Sequence, residues 1–200
     1  KAVISIFRLL ASFIASLYIM ARAILFPGSK IWIMSGTAQQ AQDTFTKLED
    51  LAKHNITSVK GGQSIFMNEV VKNNANTDGF LHDKSSYSTE LYNMSTIITL
   101  VGKAESVIGK RSNLSVYDEA AIISREFFAR TEPFTTQSAD FATGDGIDLE
   151  IYPKNLPNQN LYLSSAGSTS DHLYEVYKLC ARRMAMGFDD CFVADTSCEI

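Results

Sequence analysis

The sequence predicts an α/β fold, a mainly parallel sheet flanked by helices, and three observations carry that expectation. Strand-like and helix-like segments alternate through the first 54 residues. The apolar run Leu114-Ser115-Val116-Tyr117 ends in the acidic pair Asp118-Glu119, as a buried strand does where it reaches a sheet edge. A further apolar run, 160–163, ends in Ser164-Ser165. Two hundred residues, 46% apolar and 20% charged, supply one good core and leave little room for a second, so residues 1–200 are expected to form a single domain.

Residues 2–6 form a strand, 7–11 a tight connection, and 12–25 a helix that Ser12 opens and Pro27-Gly28 stops. A second strand covers 30–34, Ser35-Gly36-Thr37 is a turn, and 38–54 is a helix with Ala41, Phe45, Leu48 and Ala52 on one face. This alternation calls for parallel strands with right-handed crossovers and for ligands at the carboxyl ends of the strands. The pattern fades over 55–87, where Gly61-Gly62, Asn73-Asn74 and Asp78-Gly79 indicate turns on a surface excursion with one helix near 64–72. Residues 96–101 are a strand, 102–113 a hairpin or loop, 114–118 the acidic strand, and 120–129 a helix with Phe127 and Phe128 inward. Turn residues dominate 131–157, and a strand over 160–167 ends in small hydroxyl residues. Residues 171–186 close as a helix with Leu173, Val176, Tyr177, Cys180 and Met184 on its apolar face and Gly187 as its stop, before a last strand at 191–194.

The formal charge of -4 gives no overall attraction for nucleic acid. Any DNA contact falls to local groups, Lys103, Lys110 and Arg111 or Lys178, Arg182 and Arg183, which otherwise are solvated faces. Cys180, Cys191 and Cys198 lack the paired spacing of a zinc site and His54, His82 and His172 are scattered, which fits a reduced compartment. Residues 2–26 are strongly apolar, but Arg8 and Arg22 interrupt them, and the run between is well short of the ~20 residues that cross a bilayer, so no membrane contact is expected.

Asp118 at the carboxyl edge of a parallel sheet can hold Mg²⁺ through its waters, and Glu119 can orient or deprotonate an attacking water. By itself the pattern also suits any strand that ends at a solvated loop. Three strand ends fall together here: the 7–12 connection, Asp118-Glu119 and Ser164-Ser165. That is the layout of a phosphate-binding motor domain.

Over nearly the whole chain, the order and types of these residues resemble the ATPase domain of phage terminase large subunits, the motors that package DNA into procapsids. The matching pieces are Arg8 to Phe13 with its helix, the link Phe26-Pro27-Gly28-Ser29-Lys30-Ile31 into a strand ending Ser35-Gly36-Thr37, the run Val116-Tyr117-Asp118-Glu119-Ala120, and Leu163-Ser164-Ser165-Ala166-Gly167. The resemblance implies a P-loop NTPase fold of the ASCE type, with ATP and Mg²⁺ as cofactors. It places Mg²⁺ coordination on Asp118, water activation on Glu119, and nucleotide sensing on Ser164, Ser165 and Gly167. It places neutralisation of phosphate charge on Arg8, nucleotide contact on Ala11 and Ser12, and a Mg²⁺-ligating hydroxyl on Ser12. Double-stranded DNA, a portal protein, a small terminase subunit and a homo-oligomeric ring are the implied partners. The implied location is the host cytoplasm, transiently on the procapsid. The family's nuclease domain has no room before Ile200, and Asp189, Asp190, Asp195 and Glu199 read as solvated flanks of the last strand.

The chain departs from the family in the phosphate loop. The family places a lysine just before the Ser/Thr and a glycine close by, because the ammonium reaches the β/γ-phosphates while bare backbone N–H groups wrap them. Here the stretch is Phe7-Arg8-Leu9-Leu10-Ala11-Ser12-Phe13, without lysine or glycine and one residue short. Weak hydrolysis in this copy, a local deletion in the sequence, and substitution by Arg8 and Lys1 all stand open. Two other functions compete: a non-catalytic assembly domain of the same fold, favoured by the missing lysine and glycine, and a helicase-like ATPase, favoured by the Asp-Glu-Ala-Ala run.

Overall fold

The computed structural model describes residues 2–5, 8–54, 64–74, 76–100, 111–136, 158–165 and 167–194, with 2–5 and 8–11 described by their backbone. Their eight strands are β1 (Ala2–Ser5), β2 (Lys30–Ser35), β3 (Phe80–His82), β4 (Tyr87–Glu90), β5 (Thr96–Leu100), β6 (Leu114–Asp118), β7 (Gln159–Leu163) and β8 (Cys191–Ala194). They form one sheet in the order β3-β4-β5-β2-β6-β7-β1-β8. Neighbours from β5 to β8 are parallel, and β3 and β4 extend one edge antiparallel. The helices are α1 (Arg8–Leu25), α2 (Ala38–Lys53), α3 (Ile65–Glu69), α4 (Arg125–Thr131) and α5 (His172–Ala185), with 3-10 turns at Ala120–Ile122 and Glu132–Thr135.

The central strands are apolar on both faces because helices cover both. Ile31, Ile33, Val116, Leu161 and Leu163 meet Ala15 and Ile19 of α1 and Phe45 and Leu48 of α2 on one side. Trp32, Met34, Tyr117 and Tyr162 meet Phe127, Phe128, Leu173 and Cys180 on the other. Tyr117 and Tyr162 stack there at 4.9 Å, their hydroxyls donating to Thr131 Oγ1 and Glu132 Oε1. Burial pushes both phenols well above their ordinary range, so they stay protonated donors. At the amino ends of the strands Arg22, 3% exposed, donates to Gln159 Oε1 at 2.7 Å and to the Asn113 carbonyl at 3.2 Å, pinning α1 to β6 and β7. No helix among the described residues is long and apolar enough to cross a membrane.

The parallel register brings the carboxyl ends to one level, with Met34 opposite Tyr117, Tyr117 opposite Tyr162, and Ser5 opposite Leu163. Strand β7 lies between β1 and β6.

The structure corrects five expectations. First, α1 starts at Arg8, so 8–11 is helical and Ser12 sits inside the helix; Leu9, Leu10 and Ala11 are strong helix formers with no Gly or Pro to hold them out of it. Second, the stretch before Tyr87 is more than a surface excursion: Phe66, Val70 and Phe80 are buried in the core and β3 and β4 widen the sheet. Third, the helix expected over 120–129 is broken, because Ile123 is extended and Ser124 caps a new helix by accepting the Phe127 N–H. Fourth, strand β7 ends at Leu163. Fifth, Met184, expected on the apolar face of α5, is 41% exposed. Of the loop expected over 102–113 and the turn-rich stretch 131–157, residues 102–110 and 137–157 lie outside the described residues.

Candidate functional site

Asp118 is the last residue of β6, and its position in the alternation is that of Val116, so its side chain faces α1 and α2. It accepts a hydrogen bond from Thr44 Oγ1 of α2 on Oδ2, and one from the Glu119 N–H on Oδ1 at 3.0 Å. Burial pushes the Asp118 carboxyl above the usual carboxylate range. The hydrogen bonds from Thr44 and Glu119 and the positive charge of Lys47 pull the other way, and the Glu119 charge adds to the burial effect.

Glu119 has φ 53 and ψ 47, the left-handed region that costs an L-residue roughly 1–2 kcal/mol. The reversal turns the chain sharply out of the sheet, and Glu119 Oε1 accepts from Ser165 Oγ at 2.6 Å. Ser164 Oγ, one residue past the end of β7, accepts from the Ala121 N–H at 3.1 Å. Gly167 completes the contact: a Cβ there would lie 2.7 Å from the Ala121 Cβ and 2.8 Å from Asp171 Oδ2. The two adjacent strand ends are thus locked to each other by two hydrogen bonds and one close approach. The strain at Glu119 is testable without reference to chemistry. Glu119→Gly is expected to be more stable than Glu119→Ala by about 1 kcal/mol in urea unfolding, since both lack the carboxylate and only alanine must be forced to positive φ.

The structure therefore brings together Asp118, Glu119, Ser164, Ser165 and Gly167. Arg8 opens α1 three residues after Ser5, with Ala11 in the first turn; Ser12, 3% exposed, belongs to the second. Two strand spacings, ~10 Å, separate β1 from β6. Thr44 was not foreseen, although a hydroxyl inside the buried stripe of α2 is a visible signal. At the same edge Gln40 Oε1 accepts from Ser35 Oγ at 3.1 Å and from Thr37 Oγ1 at 3.0 Å, fixing the turn between β2 and α2.

This donor set is all oxygen: the Asp118 and Glu119 carboxylates with the Thr44 and Ser165 hydroxyls. No group of three or more His, Cys, Asp or Glu among the described residues can cage a metal. The all-oxygen donor set fits Mg²⁺, which is commonly held by one or two carboxylates with water and phosphate oxygens completing its shell.

The chain has an α/β fold with a mainly parallel sheet, in which a hydroxyl-ended strand separates the first strand from the acidic strand. Solved phage large terminases share it. The structure of the large terminase of bacteriophage HK97 superposes with a TM-score of 0.56 at 11% identity, covering 100% of this chain and 36% of that one. The large terminase from a thermophilic bacteriophage superposes in its complex with ATP-gamma-S (TM-score 0.55, 12% identity, 96% of this chain and 38% of that one) and with ADP (0.53, 11%, 97% and 39%). At such identities the likeness establishes the fold, and the resemblance seen in the sequence is borne out at that level. The chain spans about two-fifths of the length of these proteins. It matches no protein-family model and no curated protein.

Proposed function

We propose that this chain is the ATPase domain of a phage terminase large subunit, a motor that couples ATP hydrolysis to packaging of double-stranded DNA into procapsids. The observation that carries it is the hydrogen bond from Ser165 to Glu119, which ties the end of β7 to the acidic pair within a terminase fold. Asp118 would hold Mg²⁺, which would supply neutralisation of phosphate charge at the site. Glu119 aligns and deprotonates the attacking water. Ser165 releases or holds the Glu119 carboxylate according to what occupies the site, and Ser164 passes that change to the Ala121 turn. Arg8, Ala11 and Ser12 are assigned to the phosphates by the family resemblance, and the amino-terminal turn of α1, to which Arg8 and Ala11 belong, favours anions. A portal protein, a small terminase subunit, DNA and a ring of identical subunits are the proposed partners, in the host cytoplasm and on the procapsid.

A second proposal, a non-catalytic assembly domain of the same fold, is favoured by one observation. Helical backbone from Arg8 aims its amides along the helix axis, leaving no glycine-bearing loop to wrap phosphate. Without the loop lysine, hydrolysis is expected to be impaired by orders of magnitude, as when any one preorganised donor is lost.

Calorimetric titration of Mg²⁺·ATP-gamma-S separates the two. The native chain is expected to bind weakly, an Asp118→Ala, Glu119→Ala double variant not at all, and a chain rebuilt with a glycine and a lysine before Ser12 at least about tenfold more tightly. Undiminished binding by the double variant would sink the site assignment. No binding by any of the three would favour the assembly domain.

A further inference from the structure

Thr44 is 1% exposed, on the stripe of α2 that packs against the sheet. A buried hydroxyl without a partner costs about 1–3 kcal/mol, and a threonine inside a helix ordinarily meets that need with the carbonyl four residues back. That carbonyl, of Gln40, lies 3.2 Å from Thr44 Oγ1. Yet the same hydroxyl also reaches Asp118 Oδ2 on β6. It has one hydrogen to give, and the carboxylate is the stronger acceptor. With the Glu119 N–H on Oδ1, each carboxylate oxygen has one donor, which restrains the rotation of the carboxylate plane. The helix that carries Thr44 is itself anchored at its first turn, because the side chain of Gln40 is held by Ser35 of β2, the strand paired with β6.

We propose that Thr44 is the positioning residue for the metal carboxylate: its hydroxyl, delivered from α2, sets the orientation in which Asp118 meets a divalent cation. The inference rests on the ATPase reading of Asp118. A carboxylate with both oxygens already held by donors loses less freedom when the ion binds. Removing a partner of this kind ordinarily costs about 10–100-fold in metal affinity.

The experiment is a Mn²⁺ titration followed by electron paramagnetic resonance, on the whole chain with ATP-gamma-S present, for wild type, Thr44→Val and Thr44→Ser. Thr44→Val keeps the shape and loses the hydroxyl, and is expected to bind Mn²⁺ about tenfold or more weakly. Thr44→Ser keeps the hydroxyl and is expected to stay within about threefold of wild type. A residue that only packs would give the reverse order, with valine like wild type and serine weakened by its lost methyl group. That reverse order, or equal affinity in all three, overturns the inference while leaving the ATPase reading intact. Absence of Mn²⁺ binding by the wild type overturns the ATPase reading, and the inference with it. Should Thr44→Val not fold, Thr44→Ala against Thr44→Ser makes the same comparison, with metal-free melting curves showing that both are folded.

Discussion

Asp118→Asn is expected to melt a few degrees above the wild type at neutral pH and to lose Mg²⁺-dependent ATP-gamma-S binding altogether. The stability gain follows from burial. Asp118 is enclosed between β6 and α2, and desolvation raises its carboxyl above the ordinary value near 3.9 despite the two hydrogen bonds and Lys47. A carboxyl with a raised pKa in the folded state binds its proton more tightly there than in the unfolded chain. Its contribution to stability is therefore greatest below the unfolded value and is lost as pH rises through the folded value. At neutral pH it is a net cost that asparagine removes. The hydrogen bonds survive the exchange: an amide oxygen in place of Oδ1 accepts the Glu119 N–H, and an amide nitrogen in place of Oδ2 donates to Thr44 Oγ1, which then donates to the Gln40 carbonyl. A gain of about 1 kcal/mol is the usual size for relief of a functional site's strain. Melting curves taken at several pH values check the sign: the gap between variant and wild type should open as pH rises from about 4 and close below it. A gap independent of pH would mean that the Asp118 charge is not what burial penalises. Calorimetry supplies the other half, since an amide cannot replace the anionic ligand.

The coexistence of a raised Asp118 carboxyl, a left-handed Glu119 and a buried Thr44 at one strand end is what a site under functional constraint looks like, with local rules broken where the fold holds them. The parallel core was legible because β2, β5, β6 and β7 are apolar runs and the helix α2 carries Ala41, Phe45, Leu48 and Ala52 on one face. The acidic pair and the serine pair were legible because each is a contiguous motif at the end of such a run. Thr44 was not, since its partner is 74 residues away and the pairing exists only after α2 has packed on β6. The backbone at Glu119 was not either, because positive φ is signalled by glycine or asparagine and glutamate carries no such mark. The start of α1 was misplaced because a serine commonly opens a helix and Ser12 marked the start there, whereas local propensity favours helix from Arg8. Strands β3 and β4 escaped because they are three and four residues long and half solvated, with Leu81 and Glu90 exposed, so they show no clean alternation.

That antiparallel edge is also where the largest loss of stability is expected, from Gly79→Ala. Gly79 has φ +82, and a Cβ there would lie 2.1 Å from Val70 Cγ1 and 2.9 Å from the Val71 carbonyl oxygen. Neither neighbour can give way. Val70 is 1% exposed in the core and bridges Leu91, and Val71 is tied through its N–H to the Glu90 carbonyl at 2.8 Å. Gly79 is held in turn, its N–H by Asn76 Oδ1 at 3.1 Å and its carbonyl by Thr89 Oγ1 at 2.9 Å. Backbone strain of about 1 kcal/mol then adds to about 1–3 kcal/mol of overpacking. The sum is a large part of the ~5–15 kcal/mol that holds a domain together. Gly187→Ala is the control, because Gly187 has φ +81 with nothing within 4 Å of its Cβ position, leaving the backbone term alone. Urea unfolding should show Gly79→Ala losing at least about twice what Gly187→Ala loses. Equal losses would mean that the turn before β3 shifts to admit the methyl group, and that β3 and β4 are a pliable edge and not a fixed part of the sheet.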